Sequence, residues 1–229
     1  MILAGEVRVD GQRADKTGTA FPVDARIEIA GGGPRYASRA GEKLAGALRD
    51  FAVTAADRIC LDAGSSTGGF TDCLLKQGAA KVYAVDVTIS QLDWKLRRDA
   101  RVTQLEMNVR YLKPEALAAR PSLITADLSF ISLSKVLPAL AAAAAENAEF
   151  LLLIKPQFEL ERGQVGRGGI VREPELRDRA IARVRAAAEA CSLRVLGVQP
   201  SRLPGAEGNQ EFFLHAVQGG AGESPGAKR

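Results

Sequence analysis

Strand-like runs alternate with helical patterns through most of this chain, and no other sequence feature constrains its fold as strongly. The runs are short and apolar, and they are Arg58 to Asp62, Lys81 to Val87, Val102 to Met107, Leu123 to Asp127, Phe150 to Lys155, Leu193 to Val198 and Glu211 to Ala216. Before them, apolar positions from Ala40 to Phe51 follow the period of an α-helix, and Ser38 is a predicted N-cap. The alternation predicts an α/β fold with a Rossmann-like, mostly parallel sheet flanked by helices on both faces.

The connection between the last two strand-like runs differs from the others. It contains Pro200, Pro204, Gly205 and Gly208 and has no helical pattern. Because a parallel crossover normally needs a helix, we predict that the last strand is antiparallel.

The chain length of 229 residues suits one large core with a short additional module. Residues 6–29 have the pattern of a small β-rich piece with a turn at Asp10-Gly11, and Gly31 to Pro34 has the composition of a linker. We predict a module with its linker over residues 1–33 and a main domain over 34–217. The glycine-rich residues 218–229 are predicted to form a disordered tail.

Composition excludes several classes of protein. The three cysteines, Cys60, Cys73 and Cys191, have no Cys-x-x-Cys spacing, which argues against a disulfide framework and a zinc site and favours the cytoplasm. The longest apolar run, Val136 to Ala145, is too short to span a bilayer, so we expect no membrane role. A net charge of +4 is a weak indication of a polyanionic partner.

A glycine-rich turn follows the first strand of the predicted sheet, where open α/β sheets bind ligands. Ser66 stands where a dinucleotide site needs its second glycine, and Asp62 would repel a pyrophosphate. A cationic nucleoside, S-adenosylmethionine, fits better, with Asp86 on the ribose hydroxyls and Asn108 and Arg110 at the adenine end. The predicted cofactor-binding residues are Asp62, Gly64, Ser65, Ser66, Thr67, Gly68, Gly69, Phe70, Asp86, Asn108, Arg110 and Asp127.

Simpler interpretations of the same residues exist. The glycines can serve only to form a tight turn, and Asp86 can be a helix cap. Asn108 and Arg110 are equally well explained as turn residues.

The candidate catalytic residues are lysines and carboxylates, because the chain has a single histidine, His215, to which we assign no role. Asp127 and Lys155 each end an apolar strand and are expected at the ligand crevice. Lys43 lies on the first helix and Glu211 begins the last strand, but their spacing does not show whether they converge. Solvated charges at strand ends are the alternative explanation for each residue alone.

These residues resemble a known family. Lys43, Asp127, Lys155 and Glu211 are similar to the Lys-Asp-Lys-Glu tetrad of FtsJ-like ribose 2′-O-methyltransferases. The segments that resemble the TlyA (haemolysin A) family are Tyr36-Ala-Ser-Arg-Ala-Gly-Glu-Lys43, Asp62 to Phe70, Asp127-Leu-Ser-Phe-Ile-Ser132, Lys155-Pro-Gln-Phe-Glu159 with Gly168-Gly-Ile-Val171, and Gly208-Asn-Gln-Glu211. The resemblance implies S-adenosylmethionine-dependent methylation of cytidine 2′-hydroxyls in ribosomal RNA, with the tetrad as the catalytic residues. We expect no metal at the site.

The resemblance extends to the N-terminus with one departure. Leu3 to Ile29 is similar to the second half of a small RNA-binding module, whereas full-length relatives begin with two further basic helices. We therefore expect either a truncated start or a main domain that supplies most of the RNA surface. The arginines expected to form that surface are Arg35, Arg39, Arg162, Arg167 and Arg172.

Alternatives remain open at this level. Lys155 can act as the base for the ribose hydroxyl or as an electrostatic orienter. The glycine-rich loop from Gln157 to Val171 can be a lid or a simple connector. The competing functions are a nicotinamide-dependent reductase or small-molecule methyltransferase on the same fold, and a non-catalytic ribosome-associated protein or haemolysin.

Overall fold

The computed structural model describes residues 2, 7–14, 16–29, 34–205 and 207–219. The chain divides into two compact units, residues 1–35 and 36–229. The predicted linker at residues 31–33 and nearly all of the predicted tail, residues 220–229, lie outside the described residues.

The first unit contains a three-stranded antiparallel sheet in the order β2-β1-β3, where β1 is Val7–Val9, β2 is Gln12–Ala14 and β3 is Ile27–Ile29. Asp10 and Gly11 join β1 to β2 with φ angles of 48° and 79°. Positive φ at both turn residues is typical of a type I′ hairpin turn, which favours Asp-Gly. The predicted turn at these two residues is therefore present.

The second unit contains a seven-stranded sheet in the order β6-β5-β4-β7-β8-β10-β9. Its strands are β4 (Ile59–Ala63), β5 (Lys81–Asp86), β6 (Val102–Glu106), β7 (Leu123–Ala126), β8 (Glu149–Ile154), β9 (Leu193–Pro200) and β10 (Phe212–Gln218). Strands β4 to β8 are parallel, and β10 is antiparallel to both of its neighbours. The predicted mostly parallel sheet with an antiparallel last strand is confirmed.

Helices cover both faces of this sheet. They are α1 (Ala40–Asp50), α2 (Gly69–Lys76), α3 (Trp94–Arg97), α4 (Leu137–Ala143), α5 (Pro156–Glu159) and α6 (Pro174–Ala190). Successive strand residues point to opposite faces, so Leu61 and Leu152 pack toward α4 and α6, whereas Cys60 and Leu151 pack toward α1 and α2. Burial on both faces explains why the central strands are continuously apolar.

Two local predictions were wrong. Ser38 does not cap α1 with its side chain, because Arg39 occupies the N-cap position and the Ser38 hydroxyl packs beside Gly69 instead. Its carbonyl oxygen still accepts a hydrogen bond from the Gly41 amide at 3.1 Å. Glu211 precedes β10 rather than beginning it.

Candidate active site

The carboxyl ends of β4, β5, β7 and β8 lie at one edge of the sheet, and the glycine-rich turn follows the first of them. Gly64 has a φ of +85°, and a methyl group at this position would overlap the carbonyl oxygen of Asp127. The amides of Gly64 and Ser65 donate to the Val85 carbonyl oxygen at 2.8 and 3.1 Å. Glycine is therefore required here because the backbone of the turn lies directly against the tips of two neighbouring strands.

Two adjoining clefts open at this edge. The smaller, of about 200 Å³, is lined by Ser38, the turn residues 64–67, Asp127 and Lys155, among others. The larger, of about 670 Å³, runs from the turn past Asp86 to the segment 107–110. Gly64, Ser66, Asp127 and Ser129 border both clefts. A single extended ligand can therefore occupy the two clefts together.

Asp62 is fully buried at the base of the turn. Its Oδ2 accepts a hydrogen bond from the Thr71 hydroxyl at 2.7 Å, but its Oδ1 has no hydrogen-bond partner among the described residues. Burial raises the pKa of this carboxyl to about 7, the Thr71 hydrogen bond opposes the rise, and the nearby Asp127 and Asp86 add to it. A buried carboxylate oxygen without a donor is costly, and a cationic ligand would satisfy it.

The raised pKa of Asp62 predicts a pH-dependent stability. Between its ordinary pKa of 3.8 and about 7, the folded carboxyl holds a proton that the unfolded chain has released. The native state thus binds more protons, and the free energy of unfolding falls as the pH rises through this window. Asp62→Asn should remove this loss and stabilise the ligand-free protein by on the order of 2–4 kcal/mol at pH 8, with little effect at pH 4.

Urea unfolding of the ligand-free protein across this pH range measures the effect. Thr71→Val serves as a second variant, because it removes the hydrogen bond that lowers the Asp62 pKa and should extend the pH-dependent loss of stability to higher pH. If Asp62→Asn unfolds with the same pH dependence as the natural protein, Asp62 is not the group responsible.

Asp86 is fixed by backbone amides at the mouth of the larger cleft. Its Oδ2 accepts from the Ser66 amide and its Oδ1 from the Thr88 amide, both at 2.9 Å. The two bonds hold the carboxylate in one orientation, and each oxygen keeps a lone pair for a ligand hydroxyl. Asn108 lines the same cleft while its Oδ1 accepts from the Arg110 amide at 3.0 Å. Asn108 thus makes the turn contact of its alternative interpretation, whereas Asp86 is not a helix cap, because Thr88 holds the N-cap position of the short helix that follows. Both residues line the larger cleft.

Lys155 and Asp127 form an ion pair in the smaller cleft. The distance from Lys155 Nζ to Asp127 Oδ1 is 2.6 Å, and Nζ also donates to the hydroxyl of Ser129 at 3.0 Å. The two residues follow adjacent parallel strands, β8 and β7, which brings both side chains to the edge predicted from sequence. Ser129 is a contact that the sequence reasoning missed, although it stands inside the Asp127 to Ser132 motif.

Lys43 and Glu211 form a second ion pair, and this one is buried. Lys43 Nζ donates to Glu211 Oε2 at 2.5 Å, across 168 residues of sequence. Glu211 immediately precedes Phe212, which pairs with Ile154, so Glu211 stands opposite Lys155 at the ends of antiparallel neighbours. The convergence that sequence spacing left open is thus present, with the four predicted residues arranged as two lysine–carboxylate pairs.

Two further residues near this edge were not singled out from sequence. Phe130 is 91% exposed, lies beside the larger cleft and has a φ of +64°, a strained conformation for a bulky side chain. Its ring centroid is 5.1 Å from that of Phe158. Glu159 is buried and accepts from the Leu133 amide at 2.8 Å and from the Ser132 hydroxyl at 2.5 Å. Glu159 therefore joins the segment after Lys155 to the segment that carries Phe130.

The loop from Gln157 to Val171 is held at its far end by a buried asparagine. Asn209 accepts from the Val171 amide at 2.9 Å and donates to the Gly169 carbonyl oxygen at 2.8 Å. Glu159 and Asn209, which hold the two ends of this loop, belong to the motifs that contain Lys155 and Glu211.

Curated proteins that are similar to this chain in sequence include one named as a ribosomal RNA methyltransferase and one named as a haemolysin. The chain is 49% identical to the 16S/23S rRNA (cytidine-2′-O)-methyltransferase TlyA of Mycobacterium tuberculosis, in an alignment that covers 93% of this chain and 81% of the relative. It is 42% identical to Hemolysin A of Brachyspira hyodysenteriae, over 95% of this chain and 91% of the relative. Every helix in the described part of the chain is too short or too polar to span a lipid bilayer.

Solved structures and a family model also resemble this chain. The solved structure of a protein from Streptococcus thermophilus superposes on it with a TM-score of 0.82 at 41% identity, covering 95% of this chain and 80% of that one. Magnesium protoporphyrin IX methyltransferase from Synechocystis PCC 6803 shares only the fold, with a TM-score of 0.55 at 14% identity over 79% of this chain and 84% of its own. The model of FtsJ-like methyltransferases matches residues 36–218. The chain therefore belongs to the FtsJ-like methyltransferase family.

Proposed function

We propose that this protein transfers a methyl group from S-adenosylmethionine to a ribose 2′-hydroxyl of ribosomal RNA, with cytidine as the target nucleotide. The observation that carries the proposal is the Lys155–Asp127 ion pair in the cleft beside the glycine-rich turn, together with the unsatisfied buried carboxylate of Asp62. The buried Lys43–Glu211 pair lies at the end of β8, next to Lys155. The Mycobacterium tuberculosis relative is named for the same reaction, and at 49% identity we extend its substrate class to this chain. We place the reaction in the cytoplasm, with ribosomal subunits as partners.

Residues at the strand tips suit S-adenosylmethionine. Asp62 offers an acceptor without a partner to a positively charged group, and the glycine turn leaves space beside Asp127. Asp86 offers its remaining lone pairs to the ribose hydroxyls, and Ser65 to Phe70 with Asn108 and Arg110 complete the proposed binding residues. The bound cofactor supplies an already activated methyl group on a sulfonium. The chain itself has mainly to bind and align the two reactants.

We assign the alignment and charge stabilisation of the ribose hydroxyl to the four paired residues. Lys155 lies in the cleft and can hold the 2′-oxygen, while Asp127 and Ser129 fix the position of its amine. Lys43 and Glu211 are more deeply buried, and we propose that they support the end of β8 from which Lys155 projects.

Residues 34–217 are the proposed catalytic domain, and residues 1–33 are proposed as part of an RNA-binding module.

Mapping of 2′-O-methyl groups by mass spectrometry tests the function directly. Ribosomal RNA from both subunits would be incubated with the protein and isotope-labelled S-adenosylmethionine. We expect label on the ribose of one or a few cytidines. Label on a base, or on none of the RNA while the protein binds the cofactor, would contradict the proposal. Assay of haemoglobin release from erythrocytes tests the haemolysin alternative on the same preparation.

Phe130 provides a prediction about the RNA substrate. A strained and exposed aromatic ring beside the cleft is suited to stack on a base that has left its helix. Phe130→Ala should weaken RNA binding by about 1–3 kcal/mol and lower methyl transfer at low RNA concentration, with cofactor affinity unchanged. Phe130→Tyr is the matched control and should retain most activity, because it keeps the aromatic face. Equal activity of the alanine variant and the natural protein would exclude this role.

A further inference from the structure

A short aromatic and basic ridge lies beside the proposed active site. It consists of Trp94, Lys95, Arg97 and Arg98, on or directly after α3, and all four residues are exposed. Trp94 is 56% exposed, and the Lys95 amine and the Arg98 guanidinium lie 5.8 and 5.6 Å from its ring centroid. The ridge therefore combines a flat aromatic surface with three cations.

The three cations of the ridge lack acidic partners. No carboxylate of the described residues lies within ion-pair distance of Lys95, Arg97 or Arg98. Arg101, a few residues later, differs because it is paired with Asp99 at 2.7 Å. Uncompensated cations in a row produce a local positive potential that attracts a polyanion.

The ridge is fixed to the glycine-rich turn. The Asp93 amide donates to the Thr67 carbonyl oxygen at 3.1 Å, and the side chains of Leu92 and Leu96 pack beside Gly68. Thr67 lines the smaller cleft, so the ridge begins at the rim of the proposed site. An RNA strand that places its target nucleotide in the site can therefore continue over the ridge.

We propose that the ridge binds the substrate RNA next to its target nucleotide, with phosphates on Lys95, Arg97 and Arg98 and an unpaired base on Trp94. The inference rests on the proposed function. Lysine and arginine bind the RNA backbone and release counterions, and an indole face stacks on any base. An acidic protein would satisfy the cations but leave the aromatic face without a stacking partner, which is why RNA fits better.

Trp94 is the single tryptophan of the chain, so its emission reports directly on the ridge. The unaltered protein would be titrated with a single-stranded oligouridylate, and we expect quenching of the emission at saturation. Trp94→Ala should weaken binding measured by filter retention about fivefold or more, and Trp94→Phe should preserve most of it. Polyglutamate is the control polymer. Equal quenching by polyglutamate, or none by the oligouridylate, overturns the proposal.

The cations are tested by a triple variant, Lys95→Gln with Arg97→Gln and Arg98→Gln. Losing three phosphate contacts should reduce the steepness of the plot of log binding constant against log salt concentration by about 2. A rise from about 50 to 200 mM salt should therefore weaken RNA binding by the variant about twentyfold less than RNA binding by the natural protein. A matched triple replaces the exposed Arg49, Arg185 and Arg194 with Gln and should retain the natural slope. Identical slopes for the two triples overturn the proposal.

Methylation of ribosomal RNA by the unaltered protein separates the two proposals. If the unaltered protein methylates ribosomal RNA while the ridge variants bind and react normally, the ridge inference fails and the function stands. If the unaltered protein methylates no ribosomal RNA, the proposed function itself fails.

Discussion

Lys155→Ala is expected to lower the rate of methyl transfer to RNA by about 10²–10⁴-fold while leaving cofactor binding essentially unchanged. The amine of Lys155 is placed in the cleft by Asp127 and Ser129, but the other proposed cofactor contacts lie along the turn and at Asp86. Loss of the amine therefore removes a group that acts on the ribose hydroxyl. Single-turnover transfer of labelled methyl groups and calorimetric titration with the cofactor measure the two effects separately.

Two further variants give this experiment its controls. Lys113→Ala removes an exposed lysine away from the ion pairs and should leave transfer unchanged. Ser129→Ala removes one acceptor of the Lys155 amine and should have a smaller effect than Lys155→Ala. Near-normal turnover of Lys155→Ala would remove this residue from the mechanism.

Lys155→Arg distinguishes the two roles that remain possible for the amine. A guanidinium keeps the positive charge but does not give up a proton at accessible pH. Substantial residual transfer by Lys155→Arg would identify an electrostatic orienter, whereas loss equal to that of Lys155→Ala would favour a base.

The sheet and its functional edge could be predicted from sequence patterns, because both depend on residues that are close together along the chain. Asp127 and Lys155 each follow a run of apolar residues, and the tips of adjacent parallel strands necessarily meet at one edge. Ser38 was misjudged because its hydroxyl packs against Gly69, a tertiary contact that no capping pattern records.

Contacts between segments that lie far apart along the chain could not be predicted from the sequence. Lys43 lies on α1, and Glu211 follows the connector between β9 and β10. Their pairing therefore depends on how α1 packs against the sheet. Phe130 and Glu159 were not singled out, because an aromatic residue and a glutamate in a loop are ordinary until exposure and backbone strain are known. Their positions inside the motifs shared with the family were the available indication.

The buried pair of Lys43 and Glu211 leads to the largest expected effect on stability. Lys43→Met leaves the Glu211 carboxylate buried without its cation, and we expect the free energy of unfolding to fall by about 3–5 kcal/mol. A double variant, Lys43→Met with Glu211→Leu, replaces both charges with apolar groups and should recover most of that loss. Urea unfolding of the two single variants and the double variant measures the coupling between the residues.

Methyl transfer by the same variants shows whether the pair serves more than folding. If Lys43 and Glu211 position the end of β8, a double variant with restored stability should bind the cofactor normally and still transfer methyl groups slowly, because Lys155 has lost its support. Recovery of transfer together with stability would instead make the pair purely structural. In that case the chemistry would rest on Lys155 and Asp127 alone, since these are the two of the four residues that line the cleft.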